Sequence, residues 1–244
     1  MKRLINSLIF SFPFFIRIFL VNIIFSFKNV LNFLKYRKKS YSQFGEDKYL
    51  QELLMESEIN NKRYLDIGCY HPTYLSNTHM LYIDGWSGVG VDLSKEKIDY
   101  FVKKRKGTVK GLVTAIVPDE SDEKSFKGYF FKKIWSEIDT LSKEVANKKR
   151  EELGYEFYEK DVATTSINNL LRDHGPFEFM NIDIEGLDEI VIENMNMQLA
   201  PNIILFESNV LDHDSKYIKR LKNSNYEHKF TTHISHCFMR KNKS

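Results

Sequence analysis

The sequence predicts an α/β protein: a mostly parallel, doubly wound sheet with a terminal antiparallel strand, preceded by an apolar helix. Two observations predict it. Arg63-Tyr-Leu-Asp66-Ile-Gly68-Cys69-Tyr-His71-Pro72 and Gly88-Val-Gly-Val-Asp92 are short apolar runs that stop on a carboxylate, with helix-like sequence between and after them. Strand-length and helix-length segments then alternate along the chain, the pattern of a parallel sheet whose ligands lie beyond the carboxyl ends of its strands.

Residues 1–39 form a separate head. The 244-residue chain has room for one α/β domain plus an appendage. Its net charge of +3 is uneven, because residues 1–40 hold eight Lys/Arg and no acid, leaving 28 bases against 33 acids elsewhere. From Leu4 to Phe27 the only charge is Arg17, in a run rich in Phe, Ile and Leu. Asn6, Arg17, Lys28, Asn32 and Lys35 fall on one side of a helical wheel, and Ile5, Ile9, Phe12, Ile16, Phe19, Ile23 and Phe27 on the other. This predicts membrane contact through residues 4–34, in the manner of a helix lying in the interface, with Lys35, Arg37, Lys38 and Lys39 against anionic headgroups. A spanning helix, and a helix that caps the domain or pairs with a subunit, stay open. A cleaved signal peptide is disfavoured, since no small-residue site follows the run. Four bases after the run against two before it put the body on the cytoplasmic side, at the inner face of the membrane.

The body, residues 40–244, opens with Ser42 three residues before Gly45-Glu46, and a helix is expected over Asp47–Met55. Strands are expected at Arg63–Ile67, Val89–Asp92, Thr108–Val113, Phe177–Ile182 and Ile203–Glu207, with Phe230–Thr232 and His236–Arg240 as a terminal pair. Helices are expected at Leu75–Ile83, Lys95–Lys104, Ser166–Asp173 and Leu187–Asn194. Pro118–Tyr158 is too long for an ordinary connection, and reads as an irregular insertion or a β-hairpin with a charged helix around Leu141–Leu153. Lys103-Lys-Arg-Lys106 reads as a solvated helix end and not as a nucleic-acid patch, because cations there favour the macrodipole. Cys69 and Cys237 lack metal spacing and read as buried strand or turn residues in a reducing compartment.

The first turn carries one glycine, Gly68, where a dinucleotide fingerprint needs three so that backbone can approach two phosphates. With Pro72 in the expected first helical turn, the pocket should take a nucleoside without phosphates. S-adenosylmethionine is the common ligand of that description. Asp92 could accept hydrogen bonds from its ribose hydroxyls, as such an acid does in related βαβ sites.

A second acidic element ends another apolar strand at Asn181-Ile-Asp183-Ile-Glu185-Gly186. Period-two alternation points Asn181, Asp183 and Glu185 the same way, and unpaired buried charge is costly, so packing alone is a poor account of them. The bland alternative is that Asp183 or Glu185 caps the following helix.

Together, Ser42-Gln-Phe-Gly-Glu-Asp47, Leu65-Asp-Ile-Gly-Cys-Tyr-His-Pro72, Ser76-Asn-Thr78, Gly85-Trp-Ser-Gly88 and Asn181-Ile-Asp-Ile-Glu-Gly186 resemble the FkbM-type methyltransferases over about residues 41–210. The resemblance implies a Rossmann-like methyltransferase sheet, S-adenosylmethionine as donor, and O-methylation of a sugar, glycan or related metabolite. Asp66 and Gly68 match the motif at the first strand end, Asp92 the acid at the second, and Asp183, Glu185 and Gly186 the D-x-E-G element. The chain departs from the commoner pattern at Cys69-Tyr70, where the family often has a small residue followed by Asn or His.

The expected site is therefore Asp66, Gly68, Cys69 and Asp92 for the cofactor, and Asp183, His71 and Glu185 for chemistry. Asp183 is the first choice of base or hydroxyl anchor. His71 comes second, placed after a glycine turn and titrating near neutrality. His174, His213, His233 and His236 show no metal spacing; a divalent ion on Asp183, Glu185 and Glu207 is a minor alternative. Two rivals stay open: a non-catalytic, membrane-held module of the same fold, and an NAD-dependent oxidoreductase, which the missing glycines disfavour.

Overall fold

The computed structural model describes residues 40–119, 121, 124–131, 139–154, 156–184, 187–208 and 211–241. The apolar helix expected over 4–34 and its basic flank lie outside them, as do Trp135, Glu185, Gly186 and Asn209. Among the described residues no helix is long and apolar enough to cross a membrane.

The body opens with α1 (Glu46–Met55), β1 (Arg63–Ile67), α2 (His79–Ile83), β2 (Ser87–Asp92), α3 (Lys95–Lys104) and β3 (Val109–Val113). It closes with α5 (Ile167–His174), β7 (Phe179–Ile182), α6 (Asp188–Asn194), β8 (Ile203–Glu207), α7 (Lys216–Asn223), β9 (Tyr226–Thr232) and β10 (Ser235–Arg240). These strands form one sheet in the order β3-β2-β1-β7-β8-β10-β9. All pairs from β3 to β8 are parallel, and β10 runs antiparallel to both β8 and β9. The expected parallel sheet with a terminal antiparallel strand is what the chain forms.

Alternation along the strands sorts the core into two layers. Leu65, Ile67, Met180, Ile182, Ile204 and Phe206 pack with residues of α5, α6 and α7. Tyr64, Phe179, Ile203 and Leu205 pack with Leu50 of α1, Leu81 of α2 and Ile98 and Phe101 of α3 on the other face. Serine caps start α3, α5 and α7: Ser94, Ser166 and Ser215 each accept from the backbone N–H three residues on. The helix α7 was not among those expected, although Tyr217, Ile218 and Leu221 give it an apolar stripe.

The segment after β3 builds a second sheet. It contains β4 (Ala115–Val117), β5 (Ser125–Phe131), α4 (Lys143–Leu153) and β6 (Phe157–Ser166), ordered β4-β6-β5. The expected charged helix is present, capped by Ser142 and ended by Gly154 at φ 64°. The strand β6 was not expected. Its Glu159, Lys160 and Asp161 are exposed and give no apolar alternation, yet pairing with β5 and β4 supplies its backbone partners.

Two expectations fail at the β1–α2 connection. Pro72 sits in a bend, not a first helical turn, and α2 begins only at His79. The intervening loop is held open by Arg105, which is fully buried and is no solvated helix end. Its guanidinium donates to Tyr64 Oη (2.6 Å), Thr78 Oγ1 (2.8 Å), the Pro72 carbonyl (3.0 Å) and Ser76 Oγ (2.9 Å). It also lies 4.1 Å from the Phe101 ring centroid.

At the other end of the parallel block, buried Glu46 joins α1 to the terminal hairpin. Its carboxylate accepts from Thr232 Oγ1 (2.9 Å), Ser235 Oγ (3.1 Å) and the Phe44 amide (2.8 Å). Phe44 in turn stacks on His233, with ring centroids 4.3 Å apart.

Candidate active site

Strands β1, β2, β7 and β8 end on a cavity of about 580 Å³, the position and size expected of a ligand site in such a sheet. At its centre is the Gly68 turn. The Gly68 and Cys69 amides both donate to the Val91 carbonyl (2.8 and 3.0 Å), and the Asp183 amide donates to the Ile67 carbonyl (2.9 Å). These bonds draw β1, β2 and β7 together so tightly that a Cβ on Gly68 would lie 1.7 Å from the Asp183 carbonyl oxygen. With φ at +80° as well, only glycine fits. Tyr70 (φ 42°) and Leu75 (φ 51°), also lining the cavity, hold left-handed backbone that side chains rarely adopt. Such strain persists where the surroundings impose it, and it concentrates at functional sites.

Asp92 lines the cavity as expected. One carboxylate oxygen accepts from the Ser94 amide (2.9 Å) and the other from the Tyr70 amide (3.2 Å). Burial raises its pKa, and the nearby Lys97 ammonium opposes that. Lys97 is itself only 4% exposed, and its Nζ lies 2.7 Å from Asp139 Oδ2 and 3.5 Å from Asp92 Oδ1.

Asp183 follows β7, half-buried and lining the cavity, with Glu207 at the end of β8. Behind it stands buried Asp188, whose pKa is pushed up to about 8, first by burial and then by the charge of Asp183. Both causes favour the protonated form of Asp188. Asn181 does not share the direction expected for it: its amide donates to Asp66 (3.0 Å) and accepts from Asn77 (2.9 Å), beneath the loop.

The other expected residues lie behind the cavity wall. Asp66 is buried, bonded to Thr78 and Asn181, and does not line the cavity. Burial raises its pKa against the opposing charge of Arg105. Cys69 contributes its amide to the turn, while its buried thiol, pushed well up by desolvation, packs towards Gly90. His71 does not line the cavity either. Its Nδ1 accepts from the Tyr74 (2.9 Å) and Thr73 (3.2 Å) amides, and burial lowers its pKa to about 3. A ring nitrogen committed to loop amides is a brace for the turn. Glu185 lies outside the described residues, and among those described no group of three or more His, Cys, Asp or Glu could hold a metal ion.

Lys97, Asp139, Asp188 and Arg105 were missed by sequence reasoning. Lys97 and Arg105 lie in a stretch rich in lysine, and Asp139 in a charged insertion, so nothing local marks them. Asp188 alone carried a signal, as an acid opening the helix after the D-x-E-G element.

The residues present fit a phosphate-free nucleoside. Asp92 offers a hydroxyl acceptor, and Leu93, Ile116 and Leu141 give an apolar wall. The sequence profile of the FkbM methyltransferase domain matches residues 66–228. A search of curated proteins gives no match. Among solved structures, a TehB-like SAM-dependent methyltransferase from Corynebacterium glutamicum is similar at 11% identity, covering 88% of this chain and 97% of that one, with a TM-score of 0.42. Magnesium protoporphyrin IX methyltransferase from Synechocystis with bound SAH is similar at 10% identity, covering 90% and 99%, with a TM-score of 0.42. An O-methyltransferase from Bacillus cereus in complex with SAH gives 12%, 88%, 89% and 0.41. The strand order, not these distant likenesses, defines the fold.

Proposed function

Because the chain belongs to the FkbM methyltransferase family, whose donor is S-adenosylmethionine, we propose that it methylates a hydroxyl of a sugar, glycan or related small metabolite. The observation that supports this most is the placing of Asp92 and Asp183 at two strand ends of one cavity, on either side of the Gly68 turn. Bound there, S-adenosylmethionine would supply a methyl group already activated on a sulfonium.

The chain's own residues then have two tasks, alignment and proton removal. Asp92 accepts from the donor's ribose hydroxyls, while Gly68 lets the ends of β1 and β7 close on each other. Phe44, Gln43 and Ile234 line the side of the cavity next to α1 and β10. Asp183 receives the proton of the acceptor hydroxyl. Burial and the Asp183 charge favour the protonated form of Asp188 behind it, and Glu185 is the second carboxylate of the same element. Alignment and a placed base contribute separately, the base about 10²–10⁴-fold in rate.

Donor binding tests the premise. Titration calorimetry with S-adenosylhomocysteine should show binding, and Asp92→Ala should weaken it by roughly 1–3 kcal/mol through lost charge-assisted hydrogen bonds. Unchanged affinity in that variant would assign the ribose hydroxyls to another residue.

Residues 1–39 belong to the same proposal: their apolar stripe and flanking cations bring the body to the inner face of a membrane. Flotation with anionic liposomes should carry the full chain and leave residues 40–244 behind. Release of the full chain by high salt would favour a surface-lying helix over a spanning one. Equal recovery of both in the soluble fraction would make the head a protein–protein element.

A further inference from the structure

The inserted sheet contributes a wall to the cavity through Asp139, Thr140 and Leu141. Thr140 is pinned to β5 by reciprocal backbone bonds with Tyr129 (2.8 and 3.1 Å), and Asp139 Oδ1 accepts from the Phe131 amide (3.0 Å). The Asp139 carboxylate is thus fixed by the insertion, while its second oxygen holds Lys97 Nζ at 2.7 Å.

Two carboxylates and an ammonium buried together are a poor device for stability, since apolar residues of similar volume commonly serve as well or better. The two distances suggest another purpose. At 2.7 Å the Asp139 contact is a charge-assisted hydrogen bond, whereas 3.5 Å to Asp92 lies beyond that range. Lys97 supports the charge on Asp92 without occupying it. A carboxylate has about four acceptor positions, and the Ser94 and Tyr70 amides take one on each oxygen.

We propose that the inserted sheet is a working wall of the donor site, and that Asp139 is a positioning residue which holds Lys97 off Asp92 so that Asp92 can receive the donor's hydroxyls. This rests on reading the cavity as an S-adenosylmethionine site. Without the Asp139 charge, Lys97 closes onto Asp92 and competes with the ligand for the same lone pairs.

Calorimetry on the full-length protein tests the residue. Asp139→Asn should weaken S-adenosylhomocysteine at least about tenfold, and Asp139→Glu, which keeps the charge, should restore most of the affinity. Wild-type affinity in Asp139→Asn would overturn the proposal, as would equal weakening in both variants, which marks a role in packing alone. Hydrogen exchange on the wild type keeps the test open should the variants fail to fold. Bound S-adenosylhomocysteine should slow exchange across 125–131 and 139–153 as well as around Gly68 and Asp92. Protection confined to the β1 and β2 ends would overturn the wall. Absence of both binding heat and protection in the wild type would instead remove the methyl-donor reading, and this proposal with it.

Discussion

Asp183→Asn is expected to cut methyl transfer by roughly two orders of magnitude or more while leaving donor affinity near wild type. The two side chains are almost the same size. The turn at Gly68 depends on the Asp183 backbone, through its amide bond to the Ile67 carbonyl and its carbonyl packed on Gly68, so the exchange keeps the geometry. What is lost is a proton acceptor and a charge beside Asp188. Transfer of tritiated methyl to a cell-derived glycan mixture, with calorimetry on S-adenosylhomocysteine, separates the outcomes. Weakened donor binding alongside slower turnover would make Asp183 a donor ligand. If both stay near wild type, the Asp183 carboxylate has no part in binding or transfer, since the following helix is capped at Leu187 and not at Asp183.

Arg105→Met should destabilise the fold by about 3–5 kcal/mol, because it removes one partner from a buried charged network and leaves the other. For a domain of this size that is a fall in melting temperature of roughly 6–20 °C. The stranded partner is Asp66, reached through Thr78, together with the Pro72 carbonyl and Ser76 hydroxyl. Arg105→Lys should rescue little, since a single ammonium cannot reproduce a planar fork that bonds four groups and stacks on Phe101. Donor affinity should fall in both variants, because this loop carries Tyr70 and Leu75 into the cavity. A melting temperature within a few degrees of wild type for Arg105→Met would show that the loop holds itself.

Most of the sheet could be read in advance, and particular residues say why. Ile203–Phe206 is a continuous apolar run covered on both faces, and Tyr64, Leu65 and Ile67 are buried around a single acid, so composition announces both strands. Ser94 caps Lys95–Lys104 and marks its start. The site was only half legible. Asp92 and Asp183 reach the cavity because each stands where its strand lets go of the sheet. Asp66 and His71 belong to the same motif but lie beneath or beside a loop held by a distant arginine. One basic residue in Lys103-Lys-Arg-Lys106 turns inward and the others do not, a choice made by tertiary packing. For the same reason Lys97 and Asp139, 42 positions apart in the numbering, carry no local sign that they meet.

The Glu46 carboxylate and its hydroxyl partners Thr232 and Ser235 are separated by 186 and 189 residues. At ordinary rates of synthesis of about 5–20 residues per second, Glu46 leaves the ribosome roughly 10–40 s before them. Throughout that interval α1 has no hairpin to dock against, and Phe44 has no His233 on which to stack. The flank of the cavity lined by Phe44 and Ile234 is therefore among the last parts of the body to be completed. In the folded chain β10 lies between β8 and β9, and the turn that leads into it brings Ile234 to the cavity and Ser235 to Glu46.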